Sequence, residues 1–304
     1  LGQVKEVILH IGTHKTGTSS IQHTLVGFDD GKTIYSKVGA NHSKAVTTLF
    51  HPNLKNYGNL RKEGASIAEI ESRQQKCLDV LEAEIARASR DRLIISGEDI
   101  SILPVEGKRD LLRFFHDRQL VTKILCYVRE PSSMAKSVHQ QRIKGGAREL
   151  SIYETDYKKR LAPFLDLVPH QNIKVKEFRR DLLKQSDVVL DFAQEVGIDI
   201  PVASIITTNE SLSAATVKLL LLFNRLPVKS TGTAALVEAR KRFVELLDRA
   251  YQKHKRLDGK AFSESFVCSK QDADFLRVNF GIEFEPCGGD AENSKLERYF
   301  TDLS

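Results

Sequence analysis

The sequence predicts an α/β fold in which helices flank a central parallel sheet, with a helical C-terminal subregion. Short apolar runs alternate with amphipathic stretches over the first 200 residues, which is typical of such a sheet. The first strand, Val4 to Ile11, is apolar on both faces, as expected for a central strand. The 304 residues suffice for one large domain. We therefore predict a single domain over residues 1–304, with an α/β core at 1–200 and a mostly helical region at 205–304.

The spacing of apolar residues and the interruptions of that spacing predict the other strands and helices. Short apolar runs predict strands at residues 33–36, 93–95, 121–128 and 173–178. Apolar residues at helical spacing predict helices at residues 18–26, 67–88, 109–116, 132–141, 152–167 and 188–196, the last ended by Gly197. Residues 40–65 combine Asn, His, Lys, Pro and Gly and predict an irregular loop. The C-terminal region predicts helices from Ser211 or Ser213 to Phe223, at 234–251 and at 271–279.

The composition suits a globular protein with an anionic ligand. Hydrophobic residues make up 41% and charged residues 28% of the chain, which is ordinary. The net charge of +6 is too small to indicate nucleic acid as a partner. No apolar run approaches the roughly 18 residues of a membrane span, and the N-terminal residues lack a signal-peptide pattern. The four cysteines form no Cys-x-x-Cys pair, which favours a reducing, cytoplasmic location without structural zinc.

The most informative motif is an apolar strand followed by a Gly/Thr/Lys loop and a helix start. Residues 8–20 read Ile-Leu-His-Ile-Gly-Thr-His-Lys-Thr-Gly-Thr-Ser-Ser. Unpaired N–H groups and the helix dipole favour an anion at such a helix start. A nucleotide-triphosphate loop reads Gly-x-x-x-x-Gly-Lys-Ser/Thr. Gly12 and Gly17 have that spacing, but Thr18 occupies the lysine position and Lys15 lies in mid-loop. The loop is therefore predicted to bind a phosphate-rich nucleotide, but not as an ordinary ATPase or kinase does.

This loop resembles the 5′-phosphosulfate loop of sulfotransferases that use PAPS, 3′-phosphoadenosine 5′-phosphosulfate. The family pattern, Lys-[Ser/Thr]-Gly-Thr-[Ser/Thr], is matched by Lys15, Thr16, Gly17, Thr18 and Ser19. The second family signature is a strand followed by Arg, with Ser eight residues later. Arg129 and Ser137 have that spacing after the strand at 121–128. Residues 209–213, Asn-Glu-Ser-Leu-Ser, resemble a stretch of bacterial carbohydrate-type sulfotransferases.

The resemblance implies a P-loop-like sheet and PAPS as co-substrate, with PAP, 3′,5′-diphosphoadenosine, as product and no metal. The residues that it implies for the nucleotide are Lys15, Thr16, Gly17, Thr18, Ser19, Arg129 and Ser137, and His14 is a further candidate because it lies beside the loop lysine. Among them Arg129 and Ser137 would hold the 3′-phosphate. Lys15 would stabilise the leaving phosphate, because a positive charge lies where negative charge develops. The alternatives are a solvated Lys15, a structural ion pair at Arg129, and a backbone hydrogen bond at Ser137.

Two residues are candidates for the base that accepts the proton of the acceptor hydroxyl. Glu98 follows the strand at 93–95 and resembles the acidic base of carbohydrate sulfotransferases, although Gly97 departs from the commoner Ser-Ser-Glu pattern. Alternatively, Glu98 or Asp99 caps the next helix or pairs with Arg129. The rival base is His139, two residues beyond Ser137 on a predicted helix.

The sequence thus predicts an enzyme that transfers a sulfuryl group from PAPS to a hydroxyl acceptor. A carbohydrate or glycolipid is favoured because residues 92–98 and 207–213 resemble carbohydrate-type enzymes. A nucleotide kinase-like phosphotransferase is the second hypothesis, opposed by the missing lysine and by the lack of a strand that ends in a clear Mg²⁺-binding Asp. The third is a PAP-binding scaffold without catalysis. The oligomeric state remains open.

Overall fold

The computed structural model describes residues 4–54, 66–86, 90–149, 153–207, 212–226, 234–251, 253 and 266–285. It confirms the predicted α/β class, because helices flank a five-stranded parallel sheet. The chain forms two compact units. The first contains the sheet and the helices that alternate with its strands, and the second is mostly helical and begins at Glu130. Residues 130–156 belong to the second unit, and the single-domain assignment stays a prediction.

The sheet of the first unit has the nucleotide-loop strand at its centre. Its strands are β1 Glu6–His10, β2 Thr33–Tyr35, β3 Arg92–Ser96, β4 Val121–Val128 and, after the short strand β5 Tyr153–Glu154 of the second unit, β6 Ile173–Glu177. They lie in the order β2–β3–β1–β4–β6, and every neighbouring pair is parallel. Ile8 pairs with Ile94 on one side and with Lys123 on the other. The segments that follow β1, β3 and β4 therefore leave the sheet at one edge, where open α/β sheets bind ligands.

Helices cover this sheet and close its core. In chain order the helices of the first unit are α1 Thr18–Leu25, α2 Ser43–Phe50, α3 Ile67–Ile85, α4 Val105–His116, then, after α5 Pro131–Lys144 of the second unit, α6 Tyr157–Leu165 and α7 Val188–Val196. The core joins apolar residues of the sheet to α1 and α7, among them Ile8, Ile94, Ile21, Leu25 and Phe192. Short 3-10 helices lie at Glu98–Ile102, His170–Asn172, Arg180–Leu182, Lys184–Ser186 and Val202–Ser204.

The position of α7 is fixed by polar contacts at both ends. Asp187 accepts hydrogen bonds from the N–H groups of residues 189 and 190, and Gly197 ends the helix with a left-handed φ of 65°. In the helix, Asp191 binds Lys176 of β6 and the hydroxyl of Tyr127 in β4, both at 2.7 Å. Burial and this carboxylate raise the pKa of Tyr127, so the hydroxyl stays a donor. These contacts hold the start of α7 against the sheet edge that carries the loop.

The second unit consists of α5, β5, α8 Ala214–Arg225, α9 Ala234–Tyr251, β7 Phe266–Val267 and most of α10 Lys270–Phe280. Its core packs α5 against α8 through Met134, Val138, Val217, Leu220 and Leu221. The Asn224 amide and the Arg240 guanidinium each donate to the Ile143 carbonyl near the end of α5, at 2.9 and 2.8 Å.

Two predicted segments differ in kind from the structure, and the helix predicted at 109–116 begins four residues earlier, at Val105. The irregular loop predicted at 40–65 contains α2, and Asn41 accepts the N–H of its first residue, Ser43. Residues 55–65 lie outside the described part of the chain. The helix predicted at 152–167 begins only at Tyr157, because residues 153–154 form β5 and pair with β7. Asp156, with a left-handed φ of 52°, separates strand from helix.

Candidate functional site

The loop between β1 and α1 is shaped by two glycines in close contact with neighbouring atoms. A Cβ on Gly12 would lie 2.7 Å from Thr18 Oγ1 and 3.1 Å from His10 Nε2. Gly17 has a φ of 76°, and a Cβ there would lie 2.7 Å from a methyl group of Val188 at the start of α7. Lys15 is also left-handed, with a φ of 69°. This conformation is costly for a residue with a side chain and is typical of functional loops.

Threonine side chains fasten the loop to the end of β4. Thr13 donates to the Tyr127 carbonyl from its N–H at 3.2 Å and from its hydroxyl at 2.9 Å. The buried hydroxyl of Thr16 donates to the Thr13 carbonyl at 2.6 Å. The loop backbone is therefore held in place before any ligand binds, which lowers the entropy cost of binding.

The start of α1 is suited to an anion. In the described chain no side chain caps this helix and its first turn holds no acidic residue. The N–H groups of the first turn of a helix have no intrahelical acceptor, and the helix dipole adds a partial positive charge. Thr18 and Ser19 form that first turn, and Lys15 supplies a full charge just before it. These features fit a bound phosphate or sulfate group.

A neutral histidine lies at the base of the loop. His10 Nδ1 lies 2.8 Å from the Ser96 hydroxyl, whereas Nε2 is buried and has no hydrogen-bond partner among the described residues. Burial lowers the pKa of His10 to about 3, so the ring is uncharged near neutral pH. A polar atom without a partner in a protein interior is costly, and functional sites are where this cost is commonly found. The contact of His10 with Ser96 joins β1 to β3 through their side chains.

Arg129, the first residue after β4, contacts the loop directly. Its guanidinium Nη1 donates to the carbonyl oxygen of Lys15 at 2.8 Å. The guanidinium also lies 5.3 Å from the ring centre of Phe178, within cation–π range. The Tyr157 hydroxyl on α6 hydrogen bonds with the Arg129 backbone. The Arg129 side chain is therefore anchored against the loop at Lys15.

Glu98, the first residue after Gly97 at the end of β3, is surrounded by uncharged donors. Its carboxylate accepts from the Gln22 amide at 3.3 Å, from the Asn41 amide at 3.2 Å to each oxygen, and from the Ser43 hydroxyl at 3.4 Å. Among the residues that the structure describes, the Glu98 side chain neither caps a helix nor pairs with Arg129. The alternatives considered from the sequence are thus wrong for this side chain.

Packing explains why the residue before Glu98 is a glycine. A Cβ on Gly97 would lie 2.6 Å from the backbone nitrogen of Ser43 and 2.9 Å from its Cα. The departure from the Ser-Ser-Glu pattern therefore lets the start of α2 approach β3. That approach brings the Ser43 hydroxyl to Glu98 and to the backbone N–H of Asp99, which donates to it at 3.2 Å.

His14 links the loop to the end of β3. Its Nε2 lies 3.3 Å from the Asp99 carboxylate, and its side chain is 37% exposed. Lys15, Arg129, Glu98 and His14 thus belong to one connected edge of the first unit. Sequence reasoning missed Gln22, Asn41 and Ser43, and the only available signal was that Asn41 lies two residues before a segment able to start a helix.

Ser137 and His139 lie on α5 of the second unit. Ser137 is half-buried and His139 is fully buried. The helix begins at Pro131 under the cap of Glu130, whose carboxylate accepts the N–H of residues 132 and 133. Ser137 therefore sits in the second turn. The roles predicted for these two residues stay predictions, and residues 209–211 of the third resemblance lie outside the described chain.

Two further properties concern the described ranges only. No group of three His, Cys, Asp or Glu side chains there is arranged to hold a metal ion. No helix there combines the length and the apolar character that crossing a bilayer requires.

Comparison with known proteins finds partial likenesses. No family model matches the chain. A stretch of 127 residues, 40% of this chain, is 31% identical to an uncharacterized protein of Archaeoglobus fulgidus and covers 35% of that protein. The chain therefore spans about a third of the length of this curated relative.

Two solved structures match this chain with low TM-scores and low sequence identities. The sulfotransferase domain from the curacin biosynthetic pathway has a TM-score of 0.37 and 11% identity, over 94% of this chain and 100% of that one. The sulfotransferase domain from the Synechococcus PCC 7002 olefin synthase has a TM-score of 0.35 and 13% identity, over 82% and 96%. At these values the case for a function rests on the residues and contacts of the chain itself.

Proposed function

We propose that this chain is an enzyme that transfers the sulfuryl group of PAPS to the hydroxyl of a carbohydrate or glycolipid. The observation that carries the proposal is the hydrogen bond between Arg129 and the Lys15 carbonyl, which joins two motifs 114 residues apart. Each motif alone has an ordinary explanation. Their contact at the ligand-binding edge of a parallel sheet is what a shared nucleotide site requires.

The residues present fit the nucleotide. The uncapped start of α1 and the charge of Lys15 suit the 5′-phosphosulfate, and Gly12 and Gly17 leave the space that a close approach of backbone to ligand needs. Arg129 supplies a forked cation for the 3′-phosphate. Bound PAPS would contribute an activated sulfuryl group. Lys15 would then neutralise the charge that develops on the phosphate as the sulfur–oxygen bond to it breaks. Ser137 is proposed as a further ligand of the 3′-phosphate on the resemblance alone.

Glu98 is the proposed base. It would accept the proton of the acceptor hydroxyl as that oxygen forms its bond to sulfur. The described donors to the Glu98 carboxylate are two amides and a hydroxyl, so among the described residues no lysine or arginine occupies its oxygens. The donor distances of 3.2–3.4 Å are long for hydrogen bonds, so an incoming hydroxyl can compete with these donors. His139 remains the alternative base.

The acceptor and the location follow from the surroundings of Glu98 and from the cysteine pattern. Uncharged donors beside a carboxylate suit a neutral, hydroxyl-rich acceptor such as a sugar. The resemblance of residues 92–98 to carbohydrate-type enzymes supports the same class. The scattered cysteines support a cytoplasmic site of action.

Nucleotide selectivity tests the proposal. Calorimetry with PAP, AMP and Mg-ATP should show tight, metal-independent PAP binding and at least about tenfold weaker AMP binding, because the 3′-phosphate adds charge-assisted hydrogen bonds. Radiolabelled PAPS, incubated with a fractionated glycan and lipid library, should label an acceptor. Equal affinity for AMP and PAP would exclude a 3′-phosphate site. A preference for Mg-ATP would indicate a phosphotransferase, and PAP binding without transfer would indicate a scaffold.

A further inference from the structure

The segment between β2 and α2, residues 36–42, is tied to the end of β3. The His42 N–H donates to the Ser96 carbonyl and the Ser96 N–H donates to His42 Nδ1, both at 2.9 Å. The His42 ring packs on Tyr35 with ring centres 4.4 Å apart, and the Tyr35 hydroxyl donates to the Ala40 carbonyl at 2.6 Å. The segment is therefore held in one conformation by contacts with two strands.

His42 can make these contacts only as a neutral ring. Because Nδ1 accepts the Ser96 N–H, the ring proton resides on Nε2, which lies 3.0 Å from the Ser36 carbonyl and 2.9 Å from the Gly39 carbonyl. The ring is fully buried, and burial lowers the pKa of His42 to about 4. The ring thus stays neutral and the segment stays fastened at neutral pH.

Asn41 connects this segment to Glu98. Its side-chain oxygen accepts the Ser43 N–H at 2.8 Å, which fixes the orientation of the amide. The amide nitrogen then lies 3.2 Å from both carboxylate oxygens of Glu98. Gln22, the other amide on Glu98, is 2% exposed, whereas Asn41 lies on the surface. Asn41 is therefore the donor on the side of Glu98 that is open to solvent.

We infer that Asn41, held by the fastened segment 36–42, is a positioning residue for Glu98. The inference rests on the proposed function. A glutamate has three rotatable side-chain bonds, and amides on its buried and open sides restrict the carboxylate to one orientation. An oxygen of Glu98 then meets the acceptor hydroxyl in a fixed geometry, which is a main source of rate enhancement. Asn41 acts through Glu98 and takes no proton.

The lack of charge on the Asn41 side chain matters because titratable groups lie near Glu98. The titratable groups that the structure places near Glu98 are Asp99, which follows it in the chain, Tyr35, and His14, which contacts Asp99. A second carboxylate at position 41 would face Glu98 directly. Two carboxylates so close together repel each other, which displaces Glu98 from its orientation and makes it hold its proton to a higher pH.

The variants Asn41→Asp and Asn41→Ala test this role. Asn41→Asp keeps the oxygen that caps α2 but replaces the donor by a charge. Its kcat for PAP release from PAPS, with a mixture of neutral oligosaccharides as acceptor, should fall about 100-fold at pH 7. The acidic limb of its pH profile should move up by about one unit, because Glu98 then loses its proton only at higher pH. Asn41→Ala should lose about tenfold in kcat without that displacement.

Asn53→Asp, the same change at an exposed position elsewhere, is the matched control and should behave as wild type. All variants should bind PAP within about twofold of wild type, and their melting temperatures report folding. A wild-type pH profile and kcat in Asn41→Asp would overturn the positioning role while leaving the proposed function intact. Wild-type protein that neither binds PAP nor consumes PAPS would overturn both.

Discussion

Arg129 and Lys15 are joined through the backbone: the guanidinium donates to the Lys15 carbonyl at 2.8 Å, where Lys15 adopts a left-handed φ of 69°. A left-handed residue with a side chain costs about 1–2 kcal/mol, so the loop requires contacts that hold it. The arginine that would bind one end of the nucleotide thus also shapes the loop that would bind the other. Binding at the two ends is expected to be coupled.

Replacement of Arg129 measures this coupling. Arg129→Ala should weaken PAP binding by about 1.5–3 kcal/mol, the usual scale of a charge-assisted hydrogen bond. AMP lacks the 3′-phosphate, so its binding should fall far less, by what the loosened loop alone costs. Calorimetry with both nucleotides gives the two values. Unfolding of the variant would instead show that Arg129 is mainly structural, and thermal denaturation distinguishes the two cases.

Two glycines with the same backbone conformation provide a matched pair. Gly17 and Gly27 have φ values of 76° and 78°, but only the Cβ added at Gly17 meets other atoms, at 2.7 Å from Val188 and 3.3 Å from Phe178. Gly27→Ala should cost about 1–2 kcal/mol of unfolding free energy, the strain of the left-handed conformation. Gly17→Ala adds overpacking of about 1–3 kcal/mol and should abolish PAP binding.

Urea unfolding and PAP titration of both glycine variants test the prediction. Gly27→Ala should keep wild-type affinity for PAP, since it lies beyond the end of α1 in open space. Equal affinities in the two variants would contradict the assignment of the loop as the nucleotide site.

The assignment of Glu98 as the base predicts that its replacement lowers turnover and leaves nucleotide binding unchanged. Glu98→Gln keeps the shape of the side chain and removes its basicity, so transfer should fall by roughly 10²–10⁴-fold with PAP affinity preserved. His139→Ala is the comparison in the same assay, with folding checked because His139 is fully buried. Transfer that survives in Glu98→Gln and is lost in folded His139→Ala would identify the histidine as the base.

Two buried histidines predict how stability depends on pH. Burial lowers the pKa of His42 to about 4 and that of His10 to about 3, from 6.5 for the free side chain. Between pH 6.5 and about 4 the unfolded chain therefore binds protons that the folded chain does not. The free energy of unfolding should fall as the pH drops through this window, by about 3 kcal/mol for His42.

His42→Asn removes that titration and should flatten the pH dependence, although it lowers stability at pH 7. His116→Asn is the control, because the His116 side chain is 89% exposed. Urea unfolding of the wild type and of both variants at pH 7, 5.5 and 4.5 gives, for each protein, the slope of the unfolding free energy against pH. An unchanged slope in His42→Asn would show that the ring does not need to be neutral in the fold.

Local signals in the sequence predict most of the first unit. The strand at Val121–Val128 and the helix at Val188–Val196 have the predicted boundaries, because an apolar run and a glycine stop are properties of neighbouring residues. The loop at Lys15 and the arginine after β4 are predicted for the same reason. Strand β5 is missed because its partner, β7, lies more than a hundred residues away and each strand has two residues.

The surroundings of Glu98 show where such reasoning ends. Gln22 comes from α1, whereas Asn41 and Ser43 come from the start of α2, and only the packed sheet brings these two segments to Glu98. No spacing in the sequence connects the two segments with Glu98, and amides and hydroxyls are common on any surface. Identifying Glu98 needs one motif, whereas identifying what holds it needs the tertiary structure.

The central place of β1 has a consequence for biosynthesis. Glu6 pairs with Arg92 and with Val121, so β1 leaves the ribosome before both partners and meets them only after about 85 and 115 further residues are made. Until then the loop after β1 lacks the Tyr127 carbonyl that anchors Thr13 and the guanidinium that anchors Lys15. A nascent chain truncated before β4 should therefore be unable to capture the nucleotide, and maturation of the loop should coincide with the late docking of that strand.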